Sequence, residues 1–168
     1  VIGNKSGKVL LTMFFQNSNL LLAFLRDHNT ARSVLDVFND LYAMFGRETY
    51  CRLFPVILTD RGSEFSNPVP IEQDENGELR SLVFYCNPSA PYQKGGVEVA
   101  HELVRRVLPK GKSFDDLQQE DIDLMLSHIN SYKRGKLNSR SAYQLFSFIY
   151  GNDILPKLNI HEIEPNDI

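Results

Sequence analysis

The sequence predicts an α/β domain with one mixed five-stranded sheet, its first three strands antiparallel and the first truncated, and helices on both faces. Two observations carry this. β-rich apolar runs at residues 8–16 and 20–26 flank a short polar turn, Asn17-Ser18-Asn19, as an antiparallel hairpin does. Helical periodicities then alternate with two further short strands before the chain turns wholly helical.

Element by element, Val1 and Ile2 read as the tail of a first strand that turns at residues 4–7. Asn29-Thr30 offers a helix cap, followed by Val34, Leu35, Phe38, Leu41, Tyr42 and Phe45 at helical spacing and closed by Gly46. Residues 55–59 are apolar without alternation, the pattern of a strand covered on both faces. Residues 74–77 mark a loop tip, residues 82–86 a fifth strand, and residues 88–96 a loop with two prolines and two glycines. Val97, Ala100, Leu103, Val104, Val107 and Leu108 form the stripe of a helix ending near Pro109. A second helix is expected from a capping box at Ser113 and Asp116, restarting near Glu120 and carrying Ile122, Met125, Leu126 and Ile129. A third opens after Asn138-Ser139 and carries Ala142, Leu145, Phe146 and Ile149 to Gly151. Residues 1–151 thus form one N-terminally truncated core, and residues 152–168 an acidic tail or linker.

Length and composition are those of one soluble globular domain. Two cysteines, Cys51 and Cys86, are too few and too separated for a disulfide framework, and reduced thiols favour an intracellular setting. No apolar run approaches the roughly 18 residues needed to span a bilayer. No signal-peptide pattern opens the chain, and the missing initiator methionine marks it as an excised piece. A net charge of −3 does not advertise a DNA binder. A carboxylate-lined metal site, or DNA-binding regions outside the piece, would reconcile the two.

Two acidic positions stand out. Asp60 leaves the end of an apolar strand and is followed by Gly62, at the edge where open sheets place their sites. It can be a metal ligand, or simply a turn residue chosen with glycine for backbone reasons. Glu98 falls in the first turn of its helix, where an acid can merely complement the dipole. The preceding loop, Pro91-Tyr92-Gln93-Lys94-Gly95-Gly96, brings a base and two glycines to the same end, as a phosphate-following loop would. Should the substrate be a phosphodiester, Lys94, Arg105, Arg106 and Lys110 are the candidate phosphate contacts, against the alternative of a solvated helix face.

Thr59-Asp60-Arg61-Gly62-Ser63-Glu64-Phe65 resembles the T-D-N-G-x-E-F segment of the retroviral-integrase-like (DDE) superfamily. Pro88 to Glu98 looks like its P-x-x-x-x-x-x-G-x-x-E segment, and Leu103-Val104-Arg105-Arg106-Val107-Leu108-Pro109-Lys110-Gly111 like the L-I-R-x-x-x-P-K-G of bacterial insertion-sequence transposases. Residues 132–142 are similar, more loosely, to that group's closing N-x-R-P-R-K-x-L-x-x-x-T-P, and residues 1–12 to the start of its core. The resemblance covers about residues 1–146. It implies a ribonuclease H-like fold and a transposase or integrase catalytic core that hydrolyses DNA phosphodiesters and transfers strands. Asp60 and Glu98 are then the catalytic and metal-ligating residues for Mg²⁺ or Mn²⁺. It also implies a first catalytic aspartate just before Val1. Asp27, Asp36 and Asp40 do not fit that position, so the piece is expected to carry two of three ligands and to be inactive.

The implied partners are DNA and, for the longer protein, further copies of itself, with no membrane and no small-molecule cofactor. The implied setting is bacterial, cytoplasmic and nucleoid-associated. The chain departs from the family at Arg61, where asparagine is usual, at Val97 and Val99 around the glutamate, and at Phe14-Phe15-Gln16-Asn17-Ser18, where a more charged stretch is expected. The 38 positions between Asp60 and Glu98 are slightly more than the group's usual spacing. Two alternatives stay open: another ribonuclease H-like nuclease, and a degenerate core kept for dimerisation or partner binding. A hydrolase built on His28, His101, His128 or His161 is disfavoured, because no nucleophile elbow or zinc-ligand spacing accompanies them.

Overall fold

The computed structural model describes residues 2–3, 7–87 and 96–164. The chain divides into two units, one formed by Val1–Arg26 with Gly96–Ile168 and the other by Asp27–Gly95.

In the first unit β1 (Ile2–Gly3), β2 (Val9–Phe15) and β3 (Leu20–Arg26) form an antiparallel sheet in that order. The β2–β3 register runs from Phe15 opposite Leu20 to Val9 opposite Arg26. Asn19 closes the turn with φ 59°, a conformation asparagine tolerates. Leu20, Leu21, Leu22 and Ala23 are all buried, so both faces of β3 are covered at this end.

The outer edge of β3 is sealed by a helix rather than by a strand. α4 (Gln119–Ser131) places the Asn130 side chain so that it accepts the Leu21 N–H at 3.0 Å and donates to the Leu21 carbonyl at 2.8 Å. Gln119 accepts the Leu25 N–H at 2.8 Å and donates to the Ala23 carbonyl at 3.1 Å. Residues 21, 23 and 25 alternate, so their main-chain groups face one edge. Eleven helical residues rise about 16 Å, and four strand residues about 13 Å; the two amides therefore match the spacing of the edge. Edge strands left open invite foreign pairing.

Around this pair sit α3 (Val97–Val107), a small hairpin of β6 (Lys133–Arg134) and β7 (Arg140–Ser141), α5 (Ala142–Tyr150) and α6 (Ile154–Lys157). Ser141 caps α5 in a capping box with Gln144, and Phe146 buries edge-on against Phe15 at 5.1 Å. Where composition suggested a tail, Ile154, Leu155, Leu158 and Ile160 are buried, and the Oγ of Ser127 and Ser131 accept the His161 and Ile163 amides. The helix start expected at Ser113 is not formed, and α4 begins at Gln119 instead. Asp115 is taken up by the Lys8 amide and the Ser113 hydroxyl, which uses this segment to fasten the start of β2.

In the second unit α1 (Ala31–Leu53) begins at a Thr30–Ser33 capping box and is interrupted at Gly46, with φ 75° and ψ 166°. The helix expected to end at Gly46 resumes because Tyr50, Leu53 and Phe54 are buried beyond the break. Tyr50 packs against Tyr42 and Phe54, and the buried Arg80 lies over the Tyr42 and Tyr50 rings. Arg80 Nε also donates to the Ile71 carbonyl, and its Nη2 to the Pro70 carbonyl and to Asn39. β4 (Val56–Thr59) and β5 (Leu82–Tyr85) pair in parallel, with α2 (Val69–Glu72) in the connection.

Hydrogen bonding among the described residues gives a three-stranded antiparallel ladder and a two-stranded parallel ladder, not one five-stranded sheet. β1 offers only Ile2 and Gly3 as an edge, and both pair with β2. The expectation that residues 55–59 are covered on both faces is not met. Val56, Leu58, Leu82 and Phe84 are 56%, 43%, 42% and 51% exposed, and the register Val56–Leu82 and Leu58–Phe84 puts them on one face.

Two predictions follow from these contacts. Replacing the fully buried Asn130 by alanine strands both main-chain groups of Leu21 and is expected to cost about 2–5 kcal/mol in a denaturant melt. In the second unit, burial opposes ionisation of Asp74, but the Glu78 amide, the Tyr42 hydroxyl, the Asn76 amide and Arg47 outweigh it and hold the carboxyl below its ordinary value. Its contribution to stability is therefore present at neutral pH and is lost as pH falls through that lowered value. Melts of Asp74→Asn should show a flatter acid limb than the unsubstituted chain.

Candidate catalytic carboxylates and nucleic-acid contacts

Asp60 follows the last residue of β4, at the carboxyl end of a parallel pair. Its Oδ1 accepts the Gly62 N–H at 3.1 Å, a two-residue turn that fixes the exposed carboxylate. The chain then tightens into a 3-10 turn, Ser63–Phe65, anchored by buried Phe65, whose carbonyl accepts the Tyr85 hydroxyl of β5 at 2.5 Å. Residues 60–65 are thus held at both ends. Glu64 is an acid for which the sequence reading gave no role. Its carboxylate lies where a side chain on Gly62 would go, 2.5 Å from the position of an added Cβ. The backbone there, with φ −59°, makes no demand for glycine, and the flexible end of Glu64 could move aside for a Cβ.

Glu98 is exposed in the first turn of α3, in the unit that does not contain Asp60. The opposite face of α3 buries Ala100 and Val104, so the stripe read from the sequence is the one used, although Val107 stays 53% exposed. Two contacts set the helix on β2. The Thr12 hydroxyl and His101 Nε2 are 2.8 Å apart, one turn beyond Glu98. Gly96, just before α3, lies so close to Phe14 that an added Cβ would come within 2.6 Å of the ring. Thr12 and Phe14 are two residues apart on a strand and so share its face. Phe14 belongs to a stretch where the chain departs from its expected relatives, and the structure pairs that bulky side chain with a glycine.

Arg105 and Arg106 occupy the last turn of α3, and Lys110 follows in the turn at Gly111. Arg106 and Lys110 are exposed, and Arg105 is half-buried. They gather at the end of the helix away from Glu98, which is about 10 Å along the axis from Arg105 for a rise of 1.5 Å per residue. Lys94, with the loop of residues 88–95, lies outside the described residues. Among the described residues no group of three His, Cys, Asp or Glu side chains is placed to hold a metal ion. No described helix is long and apolar enough to cross a membrane.

The seating of α3 is testable. The backbone at Gly96, φ −71° and ψ −2°, accepts any residue, so Phe14 alone bars a side chain there. Gly96→Ala is expected to destabilise by about 1–3 kcal/mol through overpacking. Adding Phe14→Leu should recover most of the loss in a double-mutant cycle read by urea unfolding.

No family model matches the chain. Individual proteins do. The ORF3 integrase candidate of Spiroplasma virus SpV1-R8A2 B is 28% identical over 146 residues, covering 87% of this chain and 43% of its own length. The IS1086 transposase of Cupriavidus metallidurans is 34% identical over 76 residues, 44% of this chain and 22% of the transposase. The IS4351 transposase of Bacteroides fragilis is 27% identical over 97 residues, 58% and 28% of the two chains. The chain thus spans less than half the length of these relatives. Among solved structures, the catalytic core of BIV integrase matches with a TM-score of 0.50 at 18% identity, over 88% of this chain and 94% of that one. The integrase-containing simian T-cell lymphotropic virus intasome, solved with the PP2A regulatory subunit B56 gamma, gives 0.55 at 16% identity, over 98% and 61%. The chain is thus similar in sequence to integrases and transposases, and its fold is that of retroviral integrase cores.

Proposed function

We propose that the protein carrying this chain is a polynucleotidyl transferase that hydrolyses a DNA phosphodiester and joins the freed 3′ end to target DNA. The observation that carries the reading is the relationship to integrases and transposases, in a chain that keeps an exposed acid at the two expected positions, Asp60 and Glu98.

Carboxylate oxygens are the hard donors that Mg²⁺ or Mn²⁺ takes, so each acid suits one place in a divalent-cation site. When bound, such ions activate an attacking hydroxyl and stabilise the leaving oxygen. The Gly62 amide orients Asp60, and the Gly96 and His101 contacts on β2 orient the helix turn bearing Glu98. Arg105, Arg106 and Lys110, with Lys94, hold phosphates of the substrate, each as a point of positive charge. Attack by water and then by the 3′ hydroxyl is in line and needs no covalent protein–DNA intermediate. In this reading a third acid completes the ligand set beside Asp60 and Glu98, as the resemblance to integrases and transposases implies. The longer protein works as a homo-oligomer on DNA ends.

Arg61, beside Asp60 where the family keeps asparagine, favours one second reading: a core retained for dimerisation or partner binding. Strand transfer by the full-length protein separates the two, and a joined product also excludes a simple ribonuclease H-like nuclease. Asp60→Asn and Glu98→Gln should each lower the rate by about 10²–10³-fold while leaving the melting midpoint unchanged, since both side chains are exposed. Full activity in either variant would refute the proposed role.

A further inference from the structure

The hairpin after α4 is one of the strongly basic stretches of the chain. Residues 132–142 include Lys133, Arg134, Lys136 and Arg140 and no acid, although the net charge of the whole is −3. β6 and β7 pair so that Arg134 faces Arg140 directly. Like charges at facing ladder positions repel. No ion pair among the described residues involves the hairpin.

Arg134 sharpens the point. It is half-buried, and its Nε and Nη2 are shut off from solvent with no acceptor among the described residues. Burial pulls its guanidinium below the ordinary arginine value, with Tyr132 opposing the shift. The contrast with Arg80, whose guanidinium meets three acceptors and two rings, shows how this fold treats an arginine that it satisfies internally. A desolvated cation without a counter-charge is strongly unfavourable; with Nε and Nη2 sealed, an external anion meets this guanidinium at its remaining nitrogen, Nη1. β7 also runs straight into α5, so the positive end of that helix lies at the same place.

We propose that the β6–β7 hairpin is a DNA-backbone contact separate from the Arg105, Arg106 and Lys110 group. One phosphate sits between Arg134 and Arg140, and Lys133 and Lys136 flank it. Guanidinium forks bind phosphate and carboxylate alike. Four cations within eight residues, however, match the repeated charge of a nucleic acid better than a single acidic side chain of a protein partner. The proposal rests on the reading of this chain as one that acts on DNA, but not on metal-dependent chemistry.

The test is binding of a short DNA duplex by the chain in EDTA, followed across salt concentration. Lys133→Gln with Arg140→Gln should lower the slope of log affinity against log salt by about two, a loss of roughly thirtyfold near 0.15 M salt. Arg134→Met should weaken binding and at the same time raise the melting midpoint, because it removes an unpaired buried charge. A purely structural arginine would lower the midpoint and leave affinity intact, and that result overturns the proposal. So does an unchanged salt slope, including the case in which the variants alter self-association instead and the hairpin belongs to a protein interface. Absence of duplex binding by the unsubstituted chain also sinks it. Strand transfer by the full-length protein is read separately, with metal present, so the two readings fail independently.

Discussion

The fold of the larger unit depends on how the open edge of β3 is closed. A leucine-rich strand with bare main-chain groups would be a template for aggregation, and extending the sheet is the usual remedy. Here two amide side chains on α4, Gln119 and Asn130, supply the missing donors and acceptors at three alternate residues of the strand. The same bonds fix where α4 lies, and with it the hairpin that follows and the helix α5 packed on Phe15. Ser127 and Ser131 of α4 then fasten the segment after α6 through main-chain bonds. One polar seam thus organises most of the elements that come late in the chain.

The carboxylates are held by a different device. Both Asp60 and Glu98 are exposed, so nothing in their burial fixes them; neighbouring backbone and small residues do. Gly62 yields its side-chain space to Glu64 and its amide to Asp60, while Gly96 yields its own to Phe14. Of the two, the glycine before Glu98 is the one that packing requires, because an aromatic ring lies in its Cβ space. Within the larger unit, positive charge gathers at the end of α3 away from Glu98 and on the β6–β7 hairpin, although the chain as a whole is acidic.

What the sequence made legible was whatever local rules control. The cap at Thr30, the α3 stripe and the opening of α5 soon after Asn138-Ser139 are each written within a few residues and are each found. So are the β2–β3 hairpin and the two short strands. Tertiary bonds were not legible. Ser113 looks like a helix cap until Lys8 is seen to claim Asp115, and α1 resumes after Gly46 because an aromatic cluster rewards it. The β6–β7 hairpin escaped notice because two-residue strands carry no periodicity and its turn uses left-handed Asn138 and Ser139. For the site, the motif identified Asp60 and Glu98, but the roles of Gly96, Phe14, Thr12 and His101 in seating α3 emerge only when distant segments meet.

Ligand substitution reads the role of the two acids most directly. In the full-length protein, Asp60→Cys and Glu98→Cys exchange a hard oxygen donor for a soft sulfur, which shifts preference from Mg²⁺ towards thiophilic cations. If each acid binds catalytic metal, strand transfer by either variant should vanish with Mg²⁺ and return in part when Mn²⁺ or Cd²⁺ replaces it. Undiminished strand transfer with Mg²⁺ in either cysteine variant would contradict the account.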